Sequence, residues 1–150
     1  MEIQKDFKEL LELFNSHNVE YMIVGGYALA FHGAPRYTGD LDIFINPSTD
    51  NAQKILKALG DFGFGSLRLV ANDFTMSDKI VQLGVSPIRI DIITSITGIS
   101  WEQAVKNRVE GYYGNTKVFF ISRADFITNK KALSRHKDLA DIDALGEYIE

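Results

Sequence analysis

Three stretches of this chain carry residue types that could do chemistry: Gly25-Gly26, the run Pro35-Arg36-Tyr37-Thr38-Gly39-Asp40-Leu41-Asp42-Ile43, and Ile88-Arg89-Ile90-Asp91-Ile92-Ile93. Asp40 and Asp42 stand two apart at an apolar run that reads as a strand, so both side chains project to one face. Carboxylates placed that way repel one another unless a cation lies between them. Oxygen ligands of this kind suit Mg²⁺, which takes few carboxylates and completes its shell with water and phosphate oxygens. Gly25-Gly26 ends the apolar run Tyr21–Val24. Glycine there lets backbone N–H groups approach phosphate oxygens, with a following helix adding its dipole. Neither a Walker-type lysine nor G-x-G-x-x-G is present, which sets aside a P-loop and a Rossmann fingerprint. Taken together, the residues describe a site that holds a nucleoside triphosphate by its phosphates and by a metal.

Asp91 is the candidate third carboxylate. Burying a lone aspartate in the apolar run Ile88–Ile93 is costly without a partner. A metal shared with Asp40 and Asp42 would supply one. A salt bridge to Arg89, on the same strand face, is the alternative. Asp73 and Asp78 are less well placed, because their surroundings read as loop.

These residues must be positioned by a small set of elements. Ile3, Phe7, Leu10, Leu11 and Phe14 recur at helical spacing, an amphipathic helix over 3–15. Tyr21–Val24 and Leu41–Ile45 read as strands, with a short helix over Tyr27–Phe31 between them. Ser48 and Thr49 suit a cap for a helix running to about Leu59. The segment from Phe62 to Asp78 gives no clear pattern. Lys79–Leu83 and Ile88–Ile93 read as a hairpin through Gly84-Val85-Ser86-Pro87, and Gly111–Ile121 as a strand or hairpin turning at Gly114-Asn115. Ser100–Asn107 is a short helix, and Ser122–Leu133 and His136–Tyr148 are two closing helices. The pattern is an α+β (or α/β) fold: one domain over residues 1–150, a mixed sheet backed by helices, with C-terminal helices.

At this point the chain resembles the nucleotidyltransferases of the DNA polymerase β superfamily. The likeness rests on Gly-Gly, a short helix, Arg-x-Thr-x-Asp-Leu-Asp-Ile and the later strand aspartate. Within that superfamily it is most similar to the small bacterial members grouped with AbiEii-type toxins and to the minimal antibiotic nucleotidyltransferases. The likeness extends through Ile96-Thr97-Gly98 and the C-terminal run, with Asn129-Lys130, Arg135, Lys137-Asp138 and Asp141. It implies that Asp40 and Asp42 hold two Mg²⁺ ions, and that Asp91 binds the ion nearer the acceptor and helps to deprotonate its hydroxyl. Gly25 and Gly26 would cradle the β- and γ-phosphates. Arg36 and Thr38 would sit beside the metal strand, and Lys130 would reach the phosphates from the C-terminal helix. A nucleoside monophosphate would pass to a hydroxyl of a small molecule, a tRNA end or a protein, and pyrophosphate would leave. Many relatives carry serine where Gly26 stands. The toxin of a toxin–antitoxin pair is the sharpest version of this expectation. A module that binds nucleotide or partner without turnover is the rival. With no large acceptor-binding domain, the last helices, a second subunit or a partner such as an antitoxin would complete the acceptor site.

Bulk properties agree with a compact domain. The chain has 150 residues, 45% apolar and 24% charged, with no cysteine. Disulfides, thiolate zinc sites and cysteine nucleophiles are therefore excluded. His17, His32 and His136 lack metal-ligand spacing. No apolar run approaches the roughly 20 residues of a membrane span. The charged, mixed N-terminus does not read as a signal peptide, so a cytoplasmic location is expected. The net charge of -4 argues against a dedicated nucleic-acid binder. Basic residues gather in the last third, however, and could form a wall facing an acidic site. There Lys130 is the candidate phosphate contact. Arg135, read as pointing elsewhere, is surface, and Asp138 and Asp141 are structural, pairing with nearby cations or capping the last helix. Trp101 reads as core, and Tyr27 as core or as a stacking partner for a base.

Overall fold

A computed structural model describes residues 3–34, 39–64 and 68–146. A six-stranded mixed sheet runs in the order β3-β4-β2-β1-β6-β5, built from β1 (Tyr21–Val24), β2 (Leu41–Ile45), β3 (Ile80–Leu83), β4 (Ile90–Ile93), β5 (Val109–Tyr113) and β6 (Thr116–Phe120). β1 pairs antiparallel with β2, and β2 parallel with β4. β3 and β5 close the two edges as antiparallel hairpin partners of β4 and β6.

Strand alternation sorts the central residues onto two faces. Tyr21, Ile23, Ile43, Ile45 and Ile92 share one. It packs on α1 (Lys5–Ser16), where Phe14 meets Tyr21 with ring centroids 5.7 Å apart. Phe7, Leu10, Leu11 and Phe14 of α1 are buried, and α1 also packs against α3 (Thr49–Asp61). Val24, Asp42, Phe44 and Asp91 share the other face. Trp101, at the start of α4 (Trp101–Val105), covers part of it by packing edge-on against Phe44 at 5.3 Å. With both faces covered, the central strands read as continuous apolar runs rather than alternating ones.

Local signals explain the element ends. The Ser48 hydroxyl caps α3 by accepting from the Asn51 amide at 3.1 Å. Buried Asn51 in turn accepts from the Glu20 N–H and donates to the Glu20 and Asn46 carbonyls, tying the start of β1 to the end of β2. The glycine-rich segment after α3 contains a 3-10 turn, Ala71–Phe74, with Phe74 fully buried. Two closing helices follow β6: α5 (Arg123–Leu133), capped by Ser122, and α6 (His136–Ala144).

Two differences from the sequence expectation bear on the site. The short helix α2 spans Gly25–Phe31, so the glycines form its first turn instead of preceding it. Asp40 lies in a bend just ahead of β2, not within the strand.

Candidate active site

Asp42 and Asp91 are direct register partners on neighbouring parallel strands. Their side chains therefore share one face of the sheet, and the two carboxyls are hydrogen-bonded to each other. The Asp42 carboxyl is pushed up to about 7. Burial is the largest cause, followed by the Asp91 charge, the hydrogen bond to Asp91 and the Asp40 charge, with Lys130 acting the other way.

Gly25 makes room for this carboxyl. A Cβ at Gly25 would lie 2.3 Å from Asp42 Oδ2, and the residue has a φ of +69°. Both facts require glycine there. Val24 is the register partner of Asp42, so the end of β1, the first turn of α2 and Asp42 meet at one point.

Asp40 and Asp91 are joined through Arg89. Arg89 Nε donates to Asp91 Oδ1 at 2.8 Å and Nη2 to Asp91 Oδ2 at 3.1 Å, while Nη2 also lies 3.2 Å from Asp40 Oδ2. The Ser86 hydroxyl donates to Asp40 as well. The salt bridge weighed for Asp91 is thus present, and one guanidinium serves two of the three expected carboxylates. Among the described residues no group of three or more His, Asp or Glu side chains is prearranged to enclose a metal. The chemistry of the donor set still suits a hard divalent cation. Asp40 and Asp91 share one arginine, while burial and the neighbouring Asp91 and Asp40 charges push Asp42 up to about 7.

A cavity of about 530 Å³ opens beside Asp42. Val24, Gly25 and Asp42 line one side, and Asn129, Lys130, Leu133 and Arg135 line another. Ile80, Ile93 and Ile96 add apolar surface, while Ser77, Asp78, Ser95 and Thr97 add hydroxyls and a carboxylate. The loop after β4 and helix α5 meet closely at Gly98, where a Cβ would lie 2.6 Å from that of Ala132. The Asn129 side chain donates to the Thr97 carbonyl at 2.8 Å and fastens the same contact. This close approach brings Lys130 to the cavity.

Lys130 is 8% exposed. Its Nζ lies 3.2 Å from Asp138 Oδ1 and 3.3 Å from Asp141 Oδ2. Asp138, fully buried, is held down to about 2, first by its hydrogen bonds from Arg135 and then by Lys130. Asp138 and Asp141 pair with cations as expected. Arg135 does not point away as expected: α5 ends at Ser134 in a left-handed conformation, φ +53°, and the turn carries Arg135 back onto Asp138. Three other basic residues of the last third have other work. Arg108 stacks 3.9 Å over Phe119, Lys117 pairs with Glu110, and Arg123 donates to the Leu145 carbonyl.

Several sequence expectations meet a definite place. Gly26 follows Gly25 in the first turn of α2. Arg36 and Thr38 lie outside the described residues. Tyr27 packs on Phe7 and Tyr113 in the core and is 4% exposed, because the helix begins at Gly25 and turns that ring inward. His17 pairs with Asp61 and His32 with the Ile121 carbonyl. Asp78, set behind Asp91 because its surroundings read as loop, lines the cavity, as do Ser77, Ser95 and Thr97, whose loops are brought there by the β3–β4 hairpin.

The architecture with its carboxylate pair defines a nucleotidyltransferase fold. It is similar to a Thermotoga maritima protein assigned to the nucleotidyltransferases, at 14% identity and a TM-score of 0.63 over 91% of this chain and 88% of that one. It is also similar to lincosamide antibiotic adenylyltransferase LnuA with lincomycin bound, at 18% identity and 0.58 over 96% of each chain. A nucleotidyltransferase-like antigen from Paracoccidioides brasiliensis aligns at 15% identity and 0.53 over 95% of this chain and 75% of that one. No curated protein matches the chain. The chain belongs to the aminoglycoside-2''-adenylyltransferase family, whose sequence profile matches residues 6–145. That match agrees with the antibiotic-nucleotidyltransferase part of the resemblance. Among the described residues no helix is long and apolar enough to cross a membrane.

Proposed function

We propose that this protein transfers a nucleoside monophosphate from a nucleoside triphosphate to a hydroxyl of a small, multiply hydroxylated molecule. The observation that carries the reading is the register pairing of Asp42 with Asp91 beside Gly25, at a cavity whose far side presents Lys130. Asp40, Asp42 and Asp91 would hold Mg²⁺, as two ions in the full arrangement, which when bound supplies positive charge to the attacking and leaving oxygens. The backbone N–H groups of Gly25 and Gly26 would receive the β- and γ-phosphates, with Arg36 and Thr38 alongside. Asp91 accepts the acceptor's hydroxyl proton. The acceptor oxygen then bonds to the α-phosphorus as the bond to the β-phosphate bridging oxygen breaks, and pyrophosphate leaves.

The family and the lincomycin-bound neighbour favour a small-molecule acceptor of the antibiotic type and an adenylyl group. A toxin acting on a macromolecule, with an antitoxin or second subunit as partner, would use the same machinery.

The test incubates the protein with Mg²⁺ and each α-labelled triphosphate against a panel of aminoglycosides, lincosamides and tRNA. Label transferred to a small molecule with matching pyrophosphate release, and lost in Asp42→Asn, supports the reading. Transfer to tRNA alone moves the acceptor to the macromolecular class. Triphosphate binding without pyrophosphate release on any acceptor supports a binding module instead.

A further inference from the structure

Asp138 is buried, yet it spends all of its hydrogen-bonding capacity on two cations that line the cavity. Its Oδ1 accepts from Lys130 Nζ at 3.2 Å and from Arg135 Nη2 at 3.1 Å. Its Oδ2 accepts from Arg135 Nε at 2.6 Å and from the Arg135 backbone N–H at 3.2 Å. Both Lys130 and Arg135 line the cavity that holds Asp42 and Gly25.

The exposure of Arg135 makes this arrangement informative. Its side chain is 53% exposed, so water could solvate the guanidinium fully. It folds back along Asp138 instead. An arginine presents five N–H donors, and an ammonium three. Nε and Nη2 of Arg135 face Asp138, which leaves the Nη1 donors over. Lys130 faces Asp138 and Asp141, which leaves its third N–H over. Two cations are therefore held in fixed positions at one cavity wall with donors to spare. Asp42 lines the same cavity, with the Asp91 and Asp40 carboxylates acting on it. A chain of phosphates carrying a divalent cation at one end matches both the cations and the carboxylates.

We propose that Asp138 is a positioning residue for polyphosphate binding: it fixes Lys130 and Arg135 together as a two-cation clamp, and Arg135 is a direct phosphate contact. This rests on the nucleotide reading of the same site. A purely electrostatic role predicts the opposite outcome. If Asp138 merely offset charge, its neutralisation would leave the cavity more positive and would tighten anion binding. If it positions the clamp, neutralisation frees both heads and weakens binding.

The test titrates inorganic tripolyphosphate with Mg²⁺, and separately adenosine and ATP with Mg²⁺, into the wild type, Asp138→Asn, Arg135→Gln and Arg135→Lys. NMR chemical shifts report binding, and the same spectra report folding. Arg135→Gln should weaken tripolyphosphate by about tenfold, the worth of one charged hydrogen bond, and leave adenosine unchanged. Arg135→Lys should recover only part of the loss, since it keeps the charge and not the fork. Asp138→Asn should also weaken tripolyphosphate while adenosine is unchanged. Equal or tighter tripolyphosphate binding in Asp138→Asn overturns the positioning role. Should Asp138→Asn not fold, the arginine variants decide: unchanged tripolyphosphate binding in Arg135→Gln overturns the clamp. A wild type that binds neither tripolyphosphate nor ATP overturns the nucleotide reading itself. A wild type that binds both, with all variants unchanged, overturns the clamp alone.

Discussion

Two carboxylate clusters flank the cavity, and they titrate in opposite directions. Asp138 is fully buried and is held down to about 2, whereas Asp42 is pushed up to about 7. Burial raises both and is the largest cause at Asp42, whereas at Asp138 the hydrogen bonds from Arg135 and Lys130 outweigh it. Asp138 and Asp141 meet Lys130 and Arg135, a balanced set. Asp40 and Asp91 share Arg89, with Asp42 beside Asp91 on the neighbouring strand. A balanced cluster is finished as the chain folds and can serve as framework. An unbalanced one keeps a standing demand for positive charge that a metal-bound triphosphate would meet. The lesson is that aspartates in one small fold divide into framework and function by whether their cations outweigh the cost of burial.

The largest effect should come from the unbalanced side. Asp42→Asn should lower nucleotidyl transfer by about a thousandfold or more, because it removes a charge on which metal stabilisation of several kcal/mol depends. Steady-state pyrophosphate release measures it. The same variant should be no less stable than the wild type without metal, since it relieves repulsion with Asp91 and Asp40. A destabilised Asp42→Asn would mean that Asp42 belongs to the framework, and the comparison would fail.

The balanced side should show the reverse pattern. Asp138→Ala strands Lys130 and removes a partner that Arg135 holds with two side-chain bonds. Breaking a buried pair in this way costs about 3 to 5 kcal/mol. In a domain of this size that lowers the thermal midpoint by roughly 10 °C. A calorimetric scan checks it, and added Mg²⁺ should not restore the loss.

Much of this division was legible in the residues. Asp42 and Asp91 each sit in an apolar run, and strand alternation fixes their faces once β2 and β4 pair. Gly25-Gly26 was legible as a strand passing into a helix, but its close approach to Asp42 follows only from the pairing of β1 with β2. What else could not be read depends on turns. Arg89 reaches Asp40 because the hairpin between β3 and β4 brings residues 86–89 beside the bend ahead of β2. Arg135 reaches Asp138 because Ser134 adopts a left-handed conformation that no local pattern announces. Tyr27 turned inward because α2 begins two residues earlier than its apolar residues suggest.

The pH dependence of stability should separate the clusters within one experiment. Asp42 has a folded value above its ordinary 3.8, so its contribution is fully present below pH 3.8 and is lost as pH rises through about 7. The metal-free protein should therefore lose roughly 2 to 4 kcal/mol from this group between those limits. Asp138 has a folded value below 3.8, so its contribution is present above pH 3.8 and is lost as pH falls through about 2, costing about 2 kcal/mol. Denaturant titrations across pH should show both losses. Mg²⁺ should remove the first and leave the second, and Asp42→Asn should abolish the first. A neutral-side loss that persists in Asp42→Asn would place its source elsewhere.

The smallest effect tests the contact that joins the glycine turn to the unbalanced cluster. Gly25→Ala forces a left-handed φ of +69° on a residue with a Cβ and sets that Cβ against Asp42 Oδ2. The backbone penalty is about 1 to 2 kcal/mol. The carboxyl is the far end of a side chain and can swing away, so the fold should survive. The displaced Asp42 should then lose its hydrogen bond to Asp91, and the neutral-side stability loss should shrink with it. The acid-side loss belongs to Asp138 and should be unaltered. If Gly25→Ala shifted both limbs equally, the two clusters would be coupled through the cavity walls, and the balance of cations against burial within each cluster would no longer explain why they differ.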